Sequence, residues 1–153
     1  MKLIAHRGNI SGIDSERENS PDYIDEAISQ GYDVEIDAWY DTKTEKILLG
    51  HDEPTYEVSW YWLGGRRDNL WIHCKNIQAL YQFSYGTGGF NFFWHQKDDY
   101  TLTSKKYIWT YPGKSITPMS VVVMPEWVIK ENFADLKALN CYGICSDYVD
   151  KLV

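Results

Sequence analysis

The chain lacks any apolar run near the roughly 20 residues that a membrane-spanning helix needs, so no span is expected. It is also short of basic charge: 15 Lys and Arg stand against 22 Asp and Glu, for a formal net charge of −7. That balance argues against a general nucleic-acid binder, which presents a basic face. An anionic substrate stays open, because a metal ion and a few local cations can reverse the field inside one cleft. Cysteine is scarce, and Cys74, Cys141 and Cys145 contain no Cys-x-x-Cys pair. Reduced, partly buried thiols are therefore expected, not a disulfide framework. There is no Walker A loop, no Gly-x-Gly-x-x-Gly, no Gly-x-Ser-x-Gly and no zinc-finger spacing. The N-terminal residues reach a polar motif by His6, too soon for a signal peptide, which makes a cytoplasmic location the expectation.

What is present begins with enough chain for one hydrophobic core: 153 residues, 44% hydrophobic and 16% aromatic, without linker, repeat or low-complexity segment. A single domain over 1–153 is expected. Four polar clusters organise its first third: His6-Arg7-Gly8, Glu18-Asn19-Ser20, Glu35-Ile36-Asp37 and His51-Asp52. Each follows or interrupts a short apolar run, as where a strand ends and a functional loop begins. Ser20-Pro21 reads as a helix start, Tyr23, Ile24, Ala27 and Ile28 as its apolar face, and Gly31 as its C-cap. Asp33 to Tyr40 reads as a strand whose period of two sets Glu35 and Asp37 on one side. A turn and a returning strand, Ile47 to Leu49, then bring His51 beside those carboxylates.

Further along, Ser59 to Leu63 reads as a helical turn, Leu70 to Lys75 as a strand and Ile77 to Tyr85 as a helix. Phe90 to His95, Tyr107 to Tyr111, Ser120 to Met124 and Tyr142 to Cys145 read as further strands, with a helical pattern across Pro125 to Asn140. The total is about seven strands and three or four helices. Adjacent His73 and Cys74 point to opposite faces of their strand, which argues against a Cys-His dyad. Most of the aromatic surplus reads as core filling for a protein with few helices.

The four clusters, in their order and spacing, resemble the glycerophosphodiester phosphodiesterase family, within the wider phosphatidylinositol-phospholipase-C-like superfamily. Its members read His-Arg-Gly, Glu-Asn-Thr before a helix, Glu-x-Asp, then His-Asp, and close on Gly-Ile-x-Thr-Asp, to which Gly143-Ile144-Cys145-Ser146-Asp147 is similar. The resemblance implies an α/β fold built on a TIM-barrel-like (β/α) sheet. A complete barrel takes about 250 residues, so this chain must abbreviate it, with several helices shortened or missing. A shortened barrel also leaves a sheet edge that a second copy of the chain could cover.

The resemblance further implies a metal-dependent phosphodiesterase acting on a small glycerophosphodiester-like molecule, with no nucleic acid and no integral membrane contact. His6 and His51 would be the catalytic pair, and Glu35 and Asp37 would hold a divalent metal, Mg²⁺ or Ca²⁺. Arg7 and Lys75 would contact phosphate, with His95 and Trp109 lining the substrate cleft. Glu18, Asn19 and Asp52 would support the site. On the residues alone, paired carboxylates also fit a solvated strand end, and a lone histidine fits a structural hydrogen bond. One position departs from the family: His73 stands where an acidic third metal ligand is usual. That exchange should weaken Mg²⁺ or Ca²⁺ relative to Mn²⁺ or Zn²⁺ and opens the latter pair beside the former, or else assigns His73 to substrate. The alternative is a catalytically inactive relative that binds a phosphorylated sugar or lipid headgroup.

Overall fold

The structure, a computed structural model, describes residues 1–129 and 133–153. Among the described residues, ten strands join one curled sheet. Seven of them are parallel, in the order β6 (Asn91–Phe93), β5 (Leu70–Cys74), β2 (Asp33–Asp41), β1 (Lys2–His6), β10 (Gly143–Ser146), β9 (Ser120–Val123) and β8 (Ile108–Thr110). Two antiparallel strands, β3 (Lys46–Leu49) and β4 (Tyr56–Val58), extend the C-terminal half of β2, and β7 (Tyr100–Leu102) runs antiparallel beside β8. The longest strand, β2, meets β1 through Asp33–Glu35, β5 through Val34–Ala38 and β3 through Ala38–Asp41.

Helices cover only part of this sheet. The helices α1 (Pro21–Ser29), α2 (Trp60–Arg66) and α3 (Ile77–Tyr85) accompany β1 to β6 in sequence. Pro21 starts α1 as expected, but the Ser20 side chain makes no cap bond, and Gly31 turns away at φ +92°, one residue past the cap at Gln30. Asn76 caps α3 by accepting from the Ala79 N–H. Val34, Ile36 and Ala38 of β2 pack with Ile24, Ala27, Ala79 and Phe83 in the larger core. A second core of Ile4, Trp71, Phe93, Trp109, Val121 and Cys145 lies on the opposite, concave face. Strand pairing joins neither β6 nor β7 to close a ring; instead the Phe93 and Trp109 rings meet at 4.5 Å.

The helical pattern read across Pro125 to Asn140 is not an α-helix. It is two 3₁₀ segments, Pro125–Trp127 and Phe133–Ala138, and the calls on residues 130–132 lie outside the described residues. Met124 takes a left-handed φ of +43° just before Pro125, and Trp127 and Val128 are exposed, not packed on a helix face. The strand count also exceeds the expected seven. Tyr56–Val58 and Tyr100–Leu102 are three residues each, too short to display a period. None of the described helices is long and apolar enough to cross a membrane.

Candidate active site

The C-terminal ends of the parallel strands converge on a cleft of about 430 Å³, lined by His6, Arg7, Glu35, Asp37, His51, His73, Lys75, His95 and Trp109. Those nine residues are the expected catalytic, metal and substrate positions, drawn into one space from six strands and their following loops. The remaining three stand behind or beside it. Glu18 and Asn19 bond to its walls, and Asp52 bonds to His51 with a side chain that is 92% exposed.

The loop after β1 is unusual backbone. Arg7 has φ +54° and Gly8 φ +93°, and a Cβ at Gly8 would stand 2.9 Å from Tyr23 Cδ1, so only glycine fits there. This turn sends the Arg7 guanidinium back between two carboxylates: Nη1 donates to Glu18 Oε2 at 3.1 Å, and Nε lies 3.2 Å from Asp37 Oδ2. Asn9 donates to both Glu18 and Asp147 at 2.8 Å. Asn19 accepts from the Asp37 N–H and donates to Asp37 Oδ2, both at 2.9 Å. Arg7 is thus a partner of carboxylates first, while Lys75 lies 3.4 Å from Asp37 Oδ1 at the edge of the cleft.

Both expected catalytic histidines are oriented by a carboxylate. His6 Nδ1 is 2.8 Å from Asp147 Oδ1, and His51 Nδ1 is 2.7 Å from Asp52 Oδ1. A carboxylate only accepts, so in each ring Nδ1 carries the proton and Nε2 presents a lone pair in the neutral form. Burial alone would lower the His6 pKa, but the Asp147 hydrogen bond and the Glu35 carboxylate outweigh it and raise it. Burial, with Arg7 and Lys75, holds His51 below its ordinary value. The two rings are therefore shifted in opposite directions from the ordinary imidazole value. Asp147 was not among the expected site residues. Its signal was its position at the end of the last strand, the same cue that marked His6 and His51.

The carboxylates on β2 differ along one face. Asp33, at the N-terminal end, accepts from Lys2 Nζ (3.1 Å), Asn69 Nδ2 (3.1 Å) and Trp71 Nε1 (3.2 Å). Glu35 and Asp37 are as buried as Asp33, yet Glu35 Oε2 and Asp37 Oδ1 have no hydrogen-bond partner. His73 Nδ1 comes to 3.1 Å from Asp37 Oδ1 and 3.7 Å from Glu35 Oε1, in contacts not aligned as hydrogen bonds. Burial and the neighbouring Asp37 raise the Glu35 carboxyl, whereas His73, Arg7 and Lys75 overcome burial and hold Asp37 well below the usual range. Ligand atoms of Glu35, Asp37 and His73 all lie within 4.8 Å of one another. Buried carboxylate oxygens that face a ring nitrogen and accept no hydrogen bond fit a cation.

The rest of the cleft is mostly apolar. Trp109 is part of its packed floor, against Phe93 and Trp71; Gln96 and Tyr111 stand at its edge, and Val123, Met124 and Trp127 add a rim that sequence reading did not assign. The His95 ring Nε2 donates to the Asp98 carbonyl, and the His95 carbonyl accepts from His73 Nε2, each at 2.8 Å. Comparison with protein-family models, with curated proteins and with solved structures finds no match.

Proposed function

We propose that this protein is a metal-dependent phosphodiesterase that hydrolyses a glycerophosphodiester or a similar small headgroup diester. The observation that carries this reading is the pairing, in one cleft, of two carboxylate-oriented imidazoles with two buried carboxylates, each of which has one oxygen without a hydrogen-bond partner. The ordered four-cluster resemblance supports it, and so does a curled, helix-poor parallel sheet as an abbreviated TIM-barrel-like fold.

Glu35, Asp37 and His73 would hold the metal, which when bound would neutralise charge on the phosphoryl oxygens. Lys75 adds a point charge to the same end of the cleft. One imidazole Nε2 takes the proton of the attacking hydroxyl, and the other, in its protonated form, delivers a proton to the leaving alkoxide. Asp147 and Asp52 keep both rings in the tautomer that aims Nε2 inward, as a carboxylate does for any base it orients. The apolar rim shields the alcohol portion of the diester from water.

Phosphorus NMR on a panel of glycerophosphodiesters, with chelated protein and then with Mg²⁺, Ca²⁺, Mn²⁺ or Zn²⁺, tests the proposal. Metal-requiring turnover that disappears in His6→Ala is the expected result. Tight binding of a phosphorylated headgroup without turnover under any metal would instead make the protein a noncatalytic binder.

A further inference from the structure

We infer that the Glu35–Asp37–His73 site is built for a nitrogen-accepting first-row ion such as Mn²⁺ or Zn²⁺, with His73 bonded through Nδ1, in preference to Mg²⁺ or Ca²⁺. This rests on the metal-site part of the proposed function and not on turnover.

The inference starts from a carbonyl oxygen. The His95 C=O can only accept, so its 2.8 Å contact makes His73 Nε2 the protonated nitrogen. In the neutral ring Nδ1 is then a lone pair, and it faces Asp37 Oδ1 at 3.1 Å and Glu35 Oε1 at 3.7 Å. With the ring neutral, three electron-rich atoms converge, and Lys75 Nζ stands 3.4 Å from one of them, Asp37 Oδ1. A cation bound by all three removes that repulsion.

The ring cannot turn away. It stacks on the buried Phe93 ring at 5.3 Å and 7° between planes, while the His95 bond fixes its other end. The carbonyl is in turn anchored by its neighbours: the Trp94 carbonyl accepts from Thr101 Oγ1 at 2.9 Å, and the His95 ring bonds to the Asp98 carbonyl. A ring nitrogen held by an outer hydrogen bond in this way is how proteins fix the tautomer and aim of a metal-ligating imidazole. Hard Mg²⁺ and Ca²⁺ prefer oxygen, whereas imidazole suits the later first-row ions. His95 is here a positioning residue acting through its backbone.

Chelated protein is titrated with Mn²⁺ while the free-ion EPR signal is followed, and the bound ion is examined by electron spin echo modulation for ¹⁴N coupling. The expected result is one ion per chain, with nitrogen coupling that survives His6→Ala and is lost in His73→Glu. Mg²⁺ in about hundredfold excess leaves the ion in the native protein, and His73→Glu lowers the excess needed for displacement by on the order of tenfold or more. Bound Mn²⁺ without nitrogen coupling, coupling that persists in His73→Glu, coupling lost in His6→Ala, or equal competition by Mg²⁺ would each overturn the inference. The native protein's spectrum decides even where a His73 variant fails to fold. No substrate enters the experiment, so a nitrogen-bound ion without turnover refutes only the phosphodiesterase reading. Turnover with an oxygen-only ion refutes only this one.

Discussion

Asn19 is the residue whose replacement most directly tests how the site is held. It is buried, takes a left-handed φ of +62°, and clamps β2 by accepting the Asp37 N–H and donating to Asp37 Oδ2. Its own N–H donates to the Arg7 carbonyl at 3.0 Å, so one residue joins the loop after β1 to the metal-site strand. Asn19→Gly removes both side-chain bonds and keeps the backbone fit. A hydrogen bond to a charged group contributes about 1.5–3 kcal/mol, and a stranded buried N–H costs about 1–3 kcal/mol. Since such effects do not add fully, a loss of about 3 kcal/mol is expected. Asn19→Ala adds a left-handed penalty of about 1 kcal/mol, for a total near 4 kcal/mol. At about 2–4 °C per kcal/mol for this chain length, the melting temperature of Asn19→Ala falls by about 10 °C. Urea unfolding of the native protein and both variants measures this, with Ala worse than Gly by the backbone term. If both variants fall within about 0.5 kcal/mol of the native protein, the clamp contributes nothing and the argument is wrong.

Asp33→Ala strands the buried Trp71 Nε1–H and loses two further donors, one of them from a half-exposed lysine, so about 2–3 kcal/mol of stability is lost in urea while Mn²⁺ affinity stays unchanged. Gly50 precedes His51, and a Cβ there would lie 2.0 Å from the Glu53 carbonyl oxygen. Gly50→Ala therefore displaces the His51 loop: the His51 ring resonances shift in NMR and kcat falls at least tenfold, against loss of about 2 kcal/mol in stability. Thiol titration of the native protein with a disulfide reagent is expected to modify Cys141 slowly and to spare Cys74, whose thiol burial pushes up to about 12, and the fully buried Cys145. All three react in denaturant; rapid native reaction of Cys74 or Cys145 would contradict the packing.

Residues that announced themselves in the sequence did so because a strand end carries its chemistry locally. His6, Glu35, Asp37, His51 and Lys75 each followed an apolar run, and each lines the cleft. Period-two alternation on β2 was enough to put Glu35 and Asp37 together and to separate them from Val34 and Ile36. What could not be read there depends on partners distant in sequence. Asp147 meets His6 across 141 positions, and the His95 carbonyl meets His73 across 22, through a backbone atom that no side-chain pattern reveals. The stretch after Pro125 was misread because its apolar spacing matches a helix, while its described residues form two 3₁₀ segments entered through the left-handed Met124.

The aromatic surplus explains how so short a chain keeps such a sheet curled. A parallel sheet ordinarily has both faces covered, and among the described residues 3₁₀ segments and loops cover β8, β9 and β10 outside, through Leu136 and Leu152 packing on Val122 and Ile144. The concave face must therefore supply a larger share of the burial. Trp71 contacts Tyr107, Trp109 and Tyr142 at ring separations of 5.2, 6.1 and 6.1 Å, and Phe93 meets Trp109 where strand pairing stops. Each such ring buries about 150–250 Å², so a few rings replace the contact area of a missing helix. Of these rings, Trp109 lines the cleft and Phe93 stacks on His73 at 5.3 Å, so the packing of the concave face also shapes the site around Glu35 and Asp37. Rings that bridge the sheet where strand pairing stops thus also support the imidazole that faces Glu35 and Asp37.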